Sequence, residues 1–551
     1  KEIVKENISG TNMNASIESF YYGNQYFIFI YKIYKDVRLV AAPPSSIGKF
    51  GGDTDNWVWP RHTGDFSIFR IYANKDNEPS EYSKDNIPYT PLKFFNISVK
   101  GIKEGDFTMV YGYPGRTQEY LYSDAVKYIT DNSNPHKIKL RTLRLDIQNS
   151  EMSKSQEVRI KYAAKNANVA NAWKKWQGEM TGLINKNALD KKLKFENEFG
   201  KWSADKLQYK NLLTDFKSKY KELSPLAFVN DYNSEAIIVN ELPKFAGSVI
   251  ASIAKNKDEY VDKVRTIISE LARLFYKDYY KPIDKASFIA LLSEYDNNIS
   301  SLYKPDYYNE LKDRGATSEL IADAIFDKSV YADSVKFFET LRSEDFKTRL
   351  ESDPASLFYS TFNNHFNSKI KDKLASINDE LNLLYRSYLK ARMEYMNNNE
   401  FYPDANSTMR VAYGKIMGYS PADGVIYKYY STLEGIMQKD NPKIYDYDIP
   451  QKMRDIYKAK DFGNWGFDGT VPVCFIATNH TSGGNSGSPV IDAKGNLIGI
   501  NFDRVWEGTM SDVMFSSEIC RNISLDIRYV LFVLDKVMDG KNLIDELKIV
   551  R

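Results

Sequence analysis

Ser486 stands in the run Gly483-Gly484-Asn485-Ser486-Gly487-Ser488-Pro489, which is suited to acyl transfer. A serine hydroxyl can attack a carbonyl carbon while nearby backbone N–H groups hold the oxyanion that forms. The donors expected here are the N–H groups of Gly484 and Ser486. Glycine suits such a loop because the turn is tight and the substrate backbone must come close. The run departs from the Gly-x-Ser-x-Gly elbow of α/β-hydrolases at Ser488. No Gly-Lys-Ser/Thr follows to make a phosphate loop. A serine nucleophile also needs a base to take its proton and a carboxylate to orient that base. The candidate carboxylate is Asp65, which opens the apolar-rich run Phe66-Ser67-Ile68-Phe69-Arg70-Ile71.

Loop and carboxylate together resemble the chymotrypsin-type serine proteases, whose triad runs His, Asp, Ser along the chain. The four histidines are His62, His136, His365 and His480. Only His62 precedes Asp65, and it stands too close, since this fold brings its histidine from a separate upstream loop. His480 reads as a loop residue, and His136 and His365 as surface or packing residues of a helical region. The expectation is that the catalytic histidine, with the first part of the barrel, lies upstream of Lys1. No His-Glu-x-x-His or other close ligand spacing occurs, so a zinc site is not expected, and no cofactor is assigned.

In the same enzymes the strand leaving the hairpin after the serine walls S1, the pocket for the residue before the cut. Here that strand ends in Asn501-Phe502-Asp503-Arg504. An arginine in S1 would pair with an Asp or Glu carboxylate of the substrate. On position alone, a surface arginine closing a hairpin fits as well.

These residues must be positioned by a chain of 551 residues, long enough for more than one domain. Its 42% hydrophobic and 27% charged residues are ordinary for a globular protein. A formal net charge of +2, from 75 basic and 73 acidic residues, argues against nucleic-acid binding driven by counterion release. Two cysteines, Cys474 and Cys520, allow one disulfide at most. No apolar run reaches the roughly 20 residues of a membrane span.

Three textures follow one another. Aromatic and β-branched runs such as Tyr26-Phe27-Ile28-Phe29-Ile30 and the stretch from Phe66 to Tyr72 predict strands between about 26 and 116. From about 120 to 399, apolar residues recur at spacings of three and four, as in Leu207, Leu212, Leu213, Phe216 and Tyr220, within charged stretches of alternating sign. That pattern predicts helices with solvated outer faces. After about 401, strands return: a buried one over Val471 to Ala477 and a hairpin around Lys494-Gly495. A helix is expected from Ser524 to Met538, with Gly540 as its C-cap. The expected fold is a β-plus-α protein: a chymotrypsin-like double β-barrel, incomplete at its N-terminus, with a large α-helical insertion. Residues 1–119 form the first part of the peptidase domain, 120–399 the helical lid or insertion, and 400–551 the second part with the nucleophile.

The chain resembles the bacterial dipeptidyl-peptidases 7 and 11 over nearly its whole length. The most specific pieces are the serine loop and Gly51-Gly52-Asp53-Thr54-Asp55-Asn56-Trp57-Val58-Trp59-Pro60-Arg61-His62-Thr63-Gly64-Asp65. The resemblance implies a serine exopeptidase in which Ser486 and Asp65 belong to the triad. It implies that Asn56, Trp57, Asn171 and Asp503 hold the free α-amino group of a peptide, so that dipeptides are released. Asn171, the last asparagine of Asn166-Ala167-Asn168-Val169-Ala170-Asn171, would place the helical insertion over the cleft as a lid. An arginine at Arg504 marks the type that prefers Asp or Glu; a small residue marks the apolar-preferring type. The resemblance further implies peptide substrates with a free N-terminus, no metal, a homodimer, and a place in the periplasm or at the cell surface of a Gram-negative bacterium. Alternatives are an apolar-specific relative, an endopeptidase with the same triad, and a non-catalytic peptide-binding scaffold.

Overall fold

A computed structural model of the protein describes residues 2–256, 260–397 and 400–551; Lys1 and the expected boundary at residue 399 lie outside them. The protein mixes α and β structure. Contacts divide it into two compact units, one of Lys1–Leu121, Gly178–Ser203 and Tyr385–Arg551, the other of Tyr122–Gln177 and Ala204–Leu384.

The first unit contains the strands. A hairpin pairs β1 (Asn14–Phe20) with β2 (Gln25–Tyr31), and a three-stranded sheet joins β3 (Asp36–Ala41), β4 (Ile68–Ala73) and β5 (Ile87–Pro88). The main sheet contains β6 (Phe107–Gly112), β7 (Arg410–Lys415), β8 (Pro472–Ala477), β9 (Ser488–Asp492), β10 (Leu497–Arg504) and β11 (Asn522–Asp526). Antiparallel pairing follows the order β8-β11-β10-β9-β6-β7. The path then returns on itself. Ile416, one residue past β7, bridges Ala477 of β8, and Thr478 N–H donates to Lys415 C=O at 3.0 Å. The rest of that edge of β8 pairs with the short strand Tyr430–Thr432.

Sequence explains this layout. Every residue of β8 is buried, as an unbroken apolar run requires of a strand covered on both faces. Val110, Phe475, Ala477, Val490 and Ile498 fill one side of the ring. A second, larger core joins Cys474 and Ile476 of β8 to Ile47, Trp59 and Phe66 and to the segment from Tyr529 to Leu534. That core fixes the chain from Ile47 to Phe66 against the ring, and with it the run that carries Asn56, Trp57 and Asp65.

Two local expectations change. Residues 524–526 belong to β11, and the helix starts at Ile527, where the Asp526 carboxylate accepts from Arg528 N–H. Capping at that point ends the strand and turns the chain. At the other end the left-handed residue is Asp539 (φ 55°), and Gly540 follows it with its N–H on Leu534 C=O.

The helical stretch also divides differently from a single block over 120–399. Residues 178–203 and 385–397 group with the sheet unit. Close packing accounts for this. A methyl group added at Gly178 would lie 2.4 Å from Thr509 Oγ1 and Trp506 C=O, so the end of the helix Gln156–Asn185 lies hard against the segment Trp506–Asp512. The Arg392 guanidinium lies over the Tyr120, Phe195 and Tyr388 rings, binding the other returning pieces.

The second unit is helical. Leu212, Phe216 and Tyr220 are buried on Leu212–Tyr232 as their spacing predicts, whereas Leu207 is exposed and precedes that helix. The buried Asp284 carboxylate accepts from Glu241 and Leu242 N–H at 2.8 Å each, capping the helix Glu241–Lys255 from a distant point in the chain. Among the described residues no single helix is long and apolar enough to cross a membrane.

Candidate active site

The serine loop links the Ser482 region to β9 and places the Ser486 side chain in solvent. Its shape is held by neighbours. Asn485 Oδ1 accepts from Ser482 N–H at 3.0 Å, Asn485 C=O accepts from Asn501 Nδ2 at 3.0 Å, and Gly487 N–H donates to Asn501 C=O at 2.8 Å. Gly484 adopts φ +104°, and a methyl group there would meet Tyr113 C=O at 2.4 Å. The N–H groups of Gly484 and Ser486 donate to nothing among the described residues. Two unspent donors beside an exposed serine hydroxyl are what an oxyanion hole requires. The Ser486 hydroxyl itself donates to Phe502 C=O on β10 at 3.2 Å.

Asp65 lies in the loop before β4, three residues short of the strand. Its carboxylate makes no hydrogen bond among the described residues. Although the side chain reaches solvent, the surrounding protein desolvates it enough to raise its pKa; Arg61 and Lys49 oppose that shift and Asp503 adds to it. An unengaged carboxylate of this kind can accept an N–H from an orienting partner.

None of the four histidines hydrogen-bonds Ser486, whose hydroxyl is on Phe502 C=O. His62 is buried near Gly435, and burial together with the Lys439 charge lowers its pKa to about 3. His480 Nε2 pairs with Ser511 C=O at 2.9 Å, and its ring stacks on Phe515. His136 faces Asp231 at 3.2 Å, and His365 pairs with Tyr303 C=O.

Asp503 and Arg504, at the end of β10, lead in different directions. The Asp503 Oδ2 atom accepts from Arg61 Nη1 at 2.9 Å and from Trp57 N–H at 3.2 Å, and Oδ1 accepts from Arg504 N–H at 2.8 Å. Trp57 takes φ +65° to present its N–H. Arg61, Asp503 and Trp57 therefore form one cluster, with Asn56 beside it in sequence. Arg504 is 5% exposed. Its guanidinium meets Asp512 end-on, Nη1 to Oδ1 at 2.6 Å and Nη2 to Oδ2 at 3.2 Å. Nη1 also reaches Ser511 Oγ at 2.7 Å and Thr481 C=O at 3.3 Å, and the Trp57 ring lies 5.5 Å from the guanidinium carbon. Asn171 is exposed on the helix Gln156–Asn185, in the part assigned to the helical unit.

The Peptidase S46 family description matches residues 1–549. The chain belongs to the peptidase S46 family. An S46 relative from Flavobacterium psychrophilum, an Asp/Glu-specific dipeptidyl-peptidase, is 44% identical over 545 residues, 97% of this chain and 76% of the relative. Another of the same name from Capnocytophaga gingivalis is 45% identical over 562 residues, 100% of this chain and 78% of the relative. The crystal structure of Porphyromonas endodontalis DPP11 in complex with the dipeptide Arg-Glu superposes with a TM-score of 0.88 at 38% identity, covering 99% of this chain and 79% of that one.

Sequence reasoning did not single out Arg61 or Asp512 for this S46 site. Arg61 lay within the Gly51-to-Asp65 run, so an acidic neighbour for it could have been sought. Asp512 carries no local signal: only the turn of Trp506–Asp512 brings it back to Arg504. The cysteines are both free and buried.

Proposed function

We propose that the protein is a serine exopeptidase that removes dipeptides whose second residue is Asp or Glu. The observation that carries this reading is Arg504 at the end of β10, two residues beyond the carbonyl that accepts the Ser486 hydroxyl. The names and bound dipeptide of the S46 relatives support it. We assign the closed six-strand ring to the nucleophile-bearing barrel of a chymotrypsin-like pair, and the β3-β4-β5 sheet to part of the other.

In this mechanism Ser486 gives its proton to a histidine oriented by Asp65, a histidine not among the four described above. The Ser486 oxygen attacks the carbonyl carbon of the second residue, and the N–H groups of Gly484 and Ser486 hold the oxyanion. The bond to the third residue's nitrogen breaks as the histidine returns the proton to that amine; water then releases the dipeptide from the serine ester. The substrate amino terminus sits by Asp503. A carboxylate offers about four lone-pair positions. Oδ2 already accepts two bonds and Oδ1 one, which leaves a position on Oδ1 for the ammonium. Asn56 and Trp57 complete the amine site. Capturing the terminus two residues from the cut is what makes the product a dipeptide.

The test is release of X-Asp and X-Glu dipeptides from peptides with free or acetylated N-termini. Cleavage of the free forms alone, lost in Ser486→Ala, is the expected result. Equal cleavage of acetylated peptides would identify an endopeptidase, and no cleavage with no serine labelling a binding scaffold.

A further inference from the structure

The guanidinium of Arg504 has five N–H donors in a rigid plane. Three directions are spent on protein: Nη1 on Asp512, Ser511 and Thr481, and Nη2 once on Asp512. The Nε–H and the second Nη2–H make no hydrogen bond among the described residues. Nε is also absent from the buried atoms that lack a partner, so it keeps contact with solvent. These two donors form the side edge of the guanidinium, the other geometry in which a carboxylate binds it bidentately. One face of the plane lies toward the Trp57 ring.

Resting on the function proposed above, we infer that Asp512 is a positioning residue for side-chain selection. It occupies the end of the Arg504 guanidinium so that the Nε/Nη2 edge is left to the substrate's Asp or Glu. Two physical arguments support the division of labour. A buried cation without a counter-ion is costly, and Asp512 supplies one in the free enzyme. Asp512 is also rigidly placed. It ends the segment Trp506–Asp512, whose residues from Gly508 to Ser511 are buried, and its C=O accepts from Gln118 N–H at 2.6 Å. His480, on Ser511 C=O, ties the same turn to the strand leading into the serine loop. Without Asp512 the guanidinium would turn its donors toward Ser511 and Thr481, and the side edge would lose its aim.

The test compares matched peptides with Glu or Leu at the second position, using the intact enzyme, Asp512→Ala and Asp512→Asn. Asp512→Ala is expected to raise KM for the Glu peptide by about 30-fold or more, while kcat/KM for the Leu peptide changes less than about threefold. Asp512→Asn keeps one acceptor oxygen and the shape of the side chain, and is expected to recover part of the loss. A purely structural role would depress both peptides alike in both variants, and that result overturns the inference. So does an unchanged Glu-to-Leu ratio in a folded Asp512→Asn enzyme. An unmodified enzyme without preference for Glu would overturn the proposed function itself, and the inference with it.

Discussion

Arg61 and Asp503, 442 residues apart in the chain, form an ion pair at 2.9 Å with each side chain 9% exposed. The pair ties the run that carries Asp65 to the strand that follows the nucleophile. Arg61 also reaches Asp55 C=O and Thr63 Oγ1, both at 2.6 Å, so its orientation is set from its own loop. Asp503 is thereby held in one orientation. Removing one partner of such a buried pair leaves an uncompensated charge, typically worth about 3–5 kcal/mol. Arg61→Met is expected to lose stability on that scale in urea unfolding and to weaken discrimination between free and acetylated peptides. An Arg61→Met/Asp503→Leu double variant is expected to regain stability without regaining that discrimination.

Gly484→Ala should damage catalysis more than binding. The added methyl would meet Tyr113 C=O at 2.4 Å and Gly115 N at 2.8 Å, at a φ that side-chain-bearing residues rarely take. Relief of that clash moves the Gly484 N–H. Loss of one oxyanion donor costs about 10²–10³ in kcat. Steady-state kinetics on a variant whose circular dichroism matches the parent checks this, and an unchanged kcat removes Gly484 from the oxyanion hole.

Arg504→Gly is expected to reverse preference. Loss of a buried charge partner for the substrate corresponds to about 2–5 kcal/mol, or roughly 30- to 5000-fold in kcat/KM for acidic peptides. Peptides with apolar second residues should gain relative to Asp and Glu. A profile of dipeptides released from a mixed peptide pool gives the answer directly.

His62 makes stability depend on pH. Its pKa is about 3 when folded and about 6.5 when unfolded, so the unfolded chain binds the extra proton between those values. The contribution of neutral His62 is whole above pH 6.5 and falls as pH drops toward 3. Between pH 6.5 and 4.5 the loss is about 2–3 kcal/mol. Urea midpoints at the two pH values measure it, and His62→Gln should flatten the difference.

Neither cysteine should react in the native protein. Burial raises the Cys474 thiol well above its ordinary pKa and pushes Cys520 up to about 11, which suppresses the reactive thiolate at pH 8. Ellman's reagent is expected to find no thiol before unfolding and two after it. A disulfide would instead give none in either state.

Much of the site was legible because its chemistry is local. The serine loop is one short run whose backbone supplies both donors. Asp503 and Arg504 follow it through a hairpin whose turn is marked by Lys494-Gly495. The buried strand β8 declared itself by composition. What stayed hidden depends on distant chain returning. Asp512 reaches Arg504 through a turn with no sequence signature, and the Arg61–Asp503 pair spans most of the protein. The Ser524–Asp526 residues read as helix because apolar runs suit both periods; pairing with β8 and β10 decided for strand. The division of the helical stretch depended on close approach at Gly178, which spacing alone does not reveal.

Adjacent residues on β10 send their side chains to separate partners, Asp503 to the Arg61 loop and Arg504 to the turn holding Asp512. On the function proposed above, how the end of a peptide is gripped and which side chain is chosen become heritable as separate traits. A lineage could exchange one codon at the tip of one strand and change its diet of peptides, while the grip on their termini passes on untouched.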